Sequence, residues 1–180
     1  MSTEFYNRNW RMPKSSNSNK ASNYSMSFDG SGQVITFPSS IDLGLNSTIS
    51  FWANFTNGGV FLGEDSYGSD YIVFISGTDV YYRVGTENQG YSYWSSVSIP
   101  TGQWHHIVFV RSGSDVEFYL NNASQGIQNP GSSFNATTKF DTIGGKPSGA
   151  NDIVGNIDHL AAFDYALSAS QITSLYGNST

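Results

Sequence analysis

The chain contains no cysteine, which excludes a disulfide framework and any thiolate metal site and leaves stability to packing alone. Charge is scarce too: Asp, Glu, Lys and Arg make up 12% of its 180 residues, about half the usual share. No run approaches the ~18 consecutive apolar residues of a membrane-spanning helix, and the N-terminal region holds no apolar core of a secretory signal. The expectation is a soluble chain, neither membrane-spanning nor conventionally secreted. Three histidines and four glutamates (Glu4, Glu64, Glu87 and Glu117) are a thin supply for catalysis. HExxH spacing, a glycine-rich phosphate loop opening a helix and a GxSxG elbow are all absent, so nucleotide binding and serine hydrolysis find no support. Neighbouring side chains on a strand point to opposite faces, so His105 and His106 cannot share an ion. That pattern predicts one packed histidine and one facing outward.

Rings and turn formers are abundant instead. Four Trp, eleven Tyr and twelve Phe offer enough apolar area to offset the entropy of ordering, so most of the chain is expected to fold. A chain of this length suits one core that buries roughly 70% of the surface the unfolded form exposes. Charge is unevenly spread. Residues 1 to 20 carry Arg8, Arg11, Lys14 and Lys20 against Glu4, whereas the remainder holds four basic groups against thirteen acidic ones, for a net charge of −6. The acidic body is expected to repel nucleic acid and anionic membrane, and the basic segment to suit an acidic protein surface. Residues 1–23 show neither helical nor strand periodicity and read as an extended arm. Phe5, Tyr6 and Trp10 are its candidate apolar anchors to a protein partner, with Arg8, Arg11 and Lys14 as the charged contacts; a merely solvated tail is the alternative.

From Tyr24 onward short alternating segments are separated by Gly, Ser, Asn and Asp, the signature of an antiparallel sandwich or barrel. Strands are expected near 24–28, 33–37, 47–55, 58–63, 70–76, 79–85, 91–98, 104–111, 115–121, 138–144 and 153–164. Gly77 and Gly113 stand where tight hairpins need a positive φ. The run from Trp104 to Val110 is bulky at nearly every position, as a central strand covered on both faces would be, and Trp104 is expected to be a large buried ring. Ser168 followed by Gln171 forms a capping box ahead of Ile172, Leu175 and Tyr176, so a short helix should close the chain.

These residues resemble a family. Ser27-Phe28-Asp29-Gly30 looks like the first-strand motif of the laminin G-like, concanavalin A-like jelly-roll sandwiches, and Ser47-Thr48-Ile49-Ser50-Phe51-Trp52-Ala53 resembles their second strand. Gly102-Gln103-Trp104-His105-His106-Ile107-Val108 resembles the central strand. Gly155-Asn156-Ile157-Asp158-His159-Leu160, Phe163, Ala166-Leu167-Ser168 and Gln171-Ile172 are similar to the last strand and closing helix. The resemblance covers residues 24–177 and implies an all-β, two-sheet antiparallel jelly-roll sandwich with a short C-terminal helix, preceded by the arm. The domain division read here is 1–23 and 24–180.

The resemblance also carries expectations about ligands. Relatives that cut β-glucans carry Glu-x-Asp-x-x-Glu on one strand, which sets an acid and a nucleophile on one face; this chain lacks it, so the expectation is no enzyme. Relatives often bind calcium through loop oxygens, which makes Asp29 and Asp158 candidate ligands here, with Glu64, Asp65 and Asp70 as a second set; no cofactor is required by the reading. Tyr67, Asn88, Gln89, Tyr91, Tyr93, Trp94, Asn151 and Asp152 combine aromatic and amide groups on loops or beside them, suited to sugar or protein contacts. Tyr91 and Tyr93 share a strand face, and edge or core packing is the alternative for them. Six Asn-x-Ser/Thr sequons reflect composition. The function expected from these features is a non-catalytic structural or adhesive surface component of a large assembly, a phage virion decoration or fibre-type protein present in many copies, held by its arm and displaying a lectin-like sandwich on the virion surface. A freestanding carbohydrate-binding lectin-like module, with calcium, is the alternative.

Overall fold

The computed structural model describes residues 24–64, 71–85, 91–132, 134–146 and 151–178. Along them run β1 (Met26–Asp29), β2 (Ile35–Gly44), β3 (Asn46–Asn57), β4 (Gly59–Gly63), β5 (Val73–Ser76), β6 (Asp79–Arg83), β7 (Tyr91–Trp94), β8 (His105–Ser112), β9 (Asp115–Leu120), β10 (Ala123–Gln128), β11 (Thr138–Ile143), β12 (Val154–Phe163) and the helix α1 (Ala169–Asn178). Two six-stranded sheets form, ordered β1-β12-β3-β8-β9-β10 and β2-β11-β4-β5-β6-β7. Every pairing is antiparallel, so the fold is the jelly-roll sandwich expected from the sequence. The arm, residues 1–23, lies outside the described residues.

Alternation fills the space between the sheets. Ile49, Phe51, Ala53 and Phe55 of β3 and Ile107 and Phe109 of β8 meet Val73, Ile75, Val80, Tyr82 and Trp94 of the second sheet. Rings bridge the layers: Phe51 stacks on Phe61 at 5.5 Å, Tyr82 on Phe109 at 5.3 Å, and Trp94 reaches Phe118 at 5.4 Å. Such pairs add to the area term, which itself is about 25 cal/mol per Å² buried. Trp104 departs from expectation. It stands just before β8 and is only half-buried, because the chain enters the sheet one residue later; the large rings inside are Trp52 and Trp94.

Several strand bounds are tighter or longer than the sequence reading, β7 for one ending at Trp94, and two differences have clear physical reasons. β2 runs on past Phe37 through Pro38, which an edge strand tolerates because its outward N–H pairs with nothing, and its pairing with β11 absorbs two register shifts. β10 was not anticipated: Ala123-Ser-Gln-Gly-Ile-Gln carries no apolar alternation, lies at a sheet edge, and is mostly exposed.

A buried polar cluster ties the sheets at one end of the core. Arg111, fully buried, donates from Nε to the Gly113 carbonyl, from Nη1 to the Ala136 carbonyl and Thr138 Oγ1, and from Nη2 to the Phe134 carbonyl. Its guanidinium also lies 4.7 Å from the Phe134 ring centre. The Thr138 hydroxyl is the hub, since Ser47 Oγ donates to it at 3.0 Å and Tyr82 Oη lies 2.7 Å away. Burial pushes the Tyr82 phenol above its usual range, so it stays protonated and available to hydrogen-bond.

α1 seals the outside of the first sheet. Ser168 caps it as expected: its backbone N–H donates to Gln171 Oε1 at 2.8 Å. Leu167 and Ile172, with Leu175, pack on Val108, Val110 and Tyr119, and Tyr176 stacks on Trp52 at 5.7 Å. His106 stacks on the same Trp52 at 5.2 Å and hydrogen-bonds Ser50 Oγ through Nε2 at 2.9 Å. His106 does point away from the core, but the helix covers it; His105 on the opposite face bonds the Pro100 carbonyl through Nε2 and Asn121 through Nδ1. Both are buried, which corrects the expectation of one facing solvent.

Desolvation, with a smaller push from His159, lowers the His106 pKa to about 4, and its Nδ1 has no hydrogen-bond partner. A folded-state pKa below the unfolded value means stability present above pH 6.5 and lost as pH falls toward about 4. The loss should approach about 3 kcal/mol at the low end. Urea titrations between pH 7 and 4 should show a stability slope that is shallower by that amount in His106→Gln than in the unaltered chain; equal slopes would contradict the assignment. Thr138→Val should separately cost about 2 kcal/mol by removing the hydroxyl that Ser47, Tyr82 and Arg111 share, seen as a lower urea midpoint at unchanged m-value.

Candidate functional site

With one sheet covered by α1, the outer face of the other is where side chains meet solvent in an ordered array. On β5, β6 and β7, residues Val73, Ile75, Val80, Tyr82, Ser92 and Trp94 face inward, so strand geometry sends Phe74, Tyr81 and Tyr93 outward. The register pairs Phe74 with Tyr81 and Tyr81 with Tyr93. These three rings therefore form a rung across three strands, Phe74 to Tyr81 at 5.6 Å and Tyr81 to Tyr93 at 4.9 Å. Two residues along, Arg83 pairs with Tyr91 and donates its backbone N–H to the Ile72 carbonyl. A second rung results, Tyr71–Arg83–Tyr91, with the guanidinium carbon 5.3 Å from the Tyr71 ring centre and 5.5 Å from that of Tyr91. Lys146 Nζ lies 6.0 Å from the Tyr71 ring centre. Tyr71, Phe74, Tyr81 and Tyr93 are half-buried and Tyr91 is 46% exposed.

Polar notches flank the first rung. One, of about 240 Å³, is lined by Asn57, Phe74, Ser76, Asn151 and Asp152. The other, of about 300 Å³, lies at the seam of β7 and β10 and is lined by Tyr93, Ser96, Ser98, Gln125 and Gln128. Asp79 stands next to Tyr81 on the outer face of β6; burial and a hydrogen bond with Asp79 raise the Tyr93 phenol above its ordinary pKa. The arrangement is a row of rings stacked side by side across the strands, with amides and hydroxyls at both ends. It can stack on flat C–H surfaces and hydrogen-bond the hydroxyls around them.

The sequence-derived site residues divide clearly. Tyr91 and Tyr93 stand on this face, and Asn151 and Asp152 line its notch. Trp94 is turned inward by alternation, 4% exposed, with Nε1 donating to the Gly126 carbonyl, and it reaches the candidate site only as one of the residues lining the β7–β10 notch. Tyr67, Asn88 and Gln89 lie outside the described residues, as do Asp65 and Asp70 of the calcium reading and Phe5, Tyr6, Arg8, Trp10, Arg11 and Lys14 of the arm. Of the remaining carboxylates, Asp29 accepts from the Ser31 N–H and Gln33 Nε2. Asp158 accepts from the His159 N–H, with His159 Nδ1 at 3.4 Å. Glu64 is buried, 3.5 Å from Lys139 Nζ, and accepts from Ser40. Asp29 pairs with Val154 at the start of β12, whereas Asp158 lies four residues farther along that strand opposite Trp52, so the two are not paired. Among the described residues no three of His, Cys, Asp and Glu converge where an ion could be held.

Phe74, Tyr81, Arg83 and Gln125 were missed by sequence reasoning. For the first three the signal was present: Phe74, Tyr81 and Arg83 occupy the alternate positions of two strands joined by the Gly77 turn. Gln125 sits on β10, which had no signal.

The profile described as the concanavalin A-like lectin/glucanases superfamily, of laminin G type, matches residues 29–173. None of the curated proteins matches the chain significantly in sequence. Similar solved structures include the heptameric SAP-like pentraxin of Limulus polyphemus, 17% identical over 83% of this chain and 80% of that one, with a TM-score of 0.60. Domain 4 of AbnA, an extracellular arabinanase of Geobacillus stearothermophilus, was solved in complex with arabinotriose; it is 20% identical over 84% of this chain and 76% of that one, at TM-score 0.53. Domains LG4–5 of the mouse laminin α1 chain are 18% identical over 80% of this chain and 44% of theirs, at TM-score 0.59. Identities this low show a shared fold. No helix of the described residues is long and apolar enough to cross a membrane.

The notch depends on a glycine. A Cβ on Gly59 would collide with the Asn151 carbonyl oxygen and with Asp152 backbone atoms at 3.0 Å, while Val60 N–H donates to that same Asn151 carbonyl. Gly59→Ala should therefore displace the 151–152 segment and cost about 2 kcal/mol, read as a lowered urea midpoint; an unchanged midpoint would show that the segment yields freely.

Proposed function

Because the chain belongs to the concanavalin A-like lectin/glucanases superfamily, of laminin G type, we propose that it is a non-catalytic carbohydrate-binding module whose binding surface is the outer face of β5, β6 and β7. The observation that carries this reading is the rung Phe74–Tyr81–Tyr93, held between two polar notches. Rings fixed by cross-strand stacking lose little freedom when a ligand arrives, and amide groups at the ends supply orientation. The interstrand spacing of about 4.8 Å is close to the repeat of a pyranose chain, so an oligosaccharide lying across the strands can set successive sugars over successive rings. The relative solved with arabinotriose, a domain of an arabinanase, supports an accessory binding role on this fold.

Catalysis is not part of the proposal. Hydrolysis by acid and nucleophile takes two carboxylates about 5 to 9 Å apart with the substrate between them, and the described part of the ring face offers Asp79 beside Tyr93 and Asp152 in the notch, the latter accepting from the Gly32 N–H. The virion assignment rested on the arm and on charge asymmetry; neither the described residues nor these relatives support it, and the carbohydrate-binding alternative takes its place.

Tyr81 is the centre of the rung and gives the sharpest test. Tyr81→Ala should weaken binding to the oligosaccharide selected from a glycan array by about tenfold or more, measured by calorimetry, with thermal unfolding checked alongside. Undiminished affinity in a folded variant would remove this face from the binding role.

A further inference from the structure

We infer that the sugar this face selects carries an anionic group, a carboxylate or a sulfate, and that Arg83 and Lys146 receive it above the Tyr71 ring; the inference rests on the carbohydrate-binding reading and sharpens it.

Charge on this domain is the starting point. From Tyr24 onward only four cations, Arg83, Arg111, Lys139 and Lys146, stand among thirteen acidic residues. Two of the four are committed elsewhere. Arg111 is fully buried in the core and held by carbonyls and Thr138, and Lys139 lies 3.5 Å from Glu64. The other two converge on a single ring: the Arg83 guanidinium carbon is 5.3 Å and Lys146 Nζ 6.0 Å from the Tyr71 ring centre. An acidic surface thus has one local focus of positive charge, and it sits on the aromatic face beside the Phe74–Tyr81–Tyr93 rung.

Arg83 is also presented for use. Tyr71 and Tyr91 clamp the guanidinium from two sides, which fixes its plane, while no carboxylate among the described residues forms an ion pair with it. Its Nε is buried without a hydrogen-bond partner. A planar, preoriented guanidinium recognises carboxylate or sulfate oxygens through paired N–H donors, and Lys146 adds a point charge on the same group. Stacking then holds the sugar ring, and the two cations read its acid substituent. Neutral sugars would meet the same rings but leave both cations as they are, so the predicted signature is selectivity.

The test begins with an array of neutral, carboxylated and sulfated oligosaccharides and continues with two matched pairs: oligogalacturonate against its methyl ester, and κ-carrageenan hexasaccharide against its desulfated form. The expected result is that acidic members bind about tenfold more tightly than their neutral partners at low salt, with the preference shrinking as ionic strength rises. The pair that shows the preference identifies carboxylate or sulfate as the group read. In Arg83→Gln and in Lys146→Gln the acidic-to-neutral ratio should fall toward one; the lysine variant, lying outside the strands, keeps the test valid if the arginine variant fails to fold. If the binders are neutral, or the acidic preference survives both substitutions, the inference is overturned while the carbohydrate-binding reading stands. If no oligosaccharide of any class binds, both fall together.

Discussion

The two-residue alternation of β5, β6 and β7 is the constraint on which the candidate site depends. Val73, Ile75, Val80, Tyr82 and Trp94 must fill the space between the sheets, and each inward side chain forces its neighbour outward. Phe74, Tyr81 and Tyr93 reach the surface for that reason, and the pairing of Tyr81 with both Phe74 and Tyr93 sets their rings in line. A one-residue slip would bury the rung and expose the core. The Gly77 turn, at φ 59°, and the cross-sheet contacts of Tyr82 and Trp94 with Phe109 together hold the register. Core and surface are thus set by one register.

The two outer faces of the sandwich have opposite fates. On the first sheet, Trp52, His106 and Val108 would form an exposed apolar strip, but α1 closes over it with Ile172 and Tyr176. On the second sheet a comparable set of rings is left half-open, tempered by phenol hydroxyls, Asp79 and Arg83. Aromatic area kept at a surface costs solubility unless it is used, and tyrosine with arginine is the composition that binding surfaces favour. Arg83 and Lys146, two of the four cations from Tyr24 onward, lie by the Tyr71 ring beside these rings.

Much of this was legible before any coordinates. The capping box at Ser168 and Gln171, the hairpins at Gly77 and Gly113 and the all-β sandwich follow from local rules that tertiary packing did not override. Tyr91 and Tyr93 were read as sharing a face, and they do; the choice between packing and contact was open because one strand cannot show what its neighbours place beside it. Trp94 and Tyr93 part company at the surface because alternation sends one inward and the other outward. β10 left no pattern because an exposed edge strand has no buried side to impose one. Alternation on the strands around the Gly77 turn places Phe74, Tyr81 and Arg83 on one face, but which rings they meet on neighbouring strands is set by cross-strand register. Asp29 and Asp158 matched motifs individually, yet the register sets them four residues apart along β12, opposite Val154 and Trp52 respectively.

The central claim is that ligand meets the chain on the outer face of β5, β6 and β7. Backbone amide and aromatic NMR shifts, followed while an array-selected oligosaccharide is titrated into the full chain, test it most directly. The account predicts that the largest changes fall on Phe74, Tyr81, Tyr93 and the Tyr71–Arg83–Tyr91 rung, with those of Trp52 and His106 beneath α1, and of Tyr176 on it, unmoved. Changes gathered instead around Asp29 and Gly30, or along the helix, with the three-ring rung silent, would contradict it.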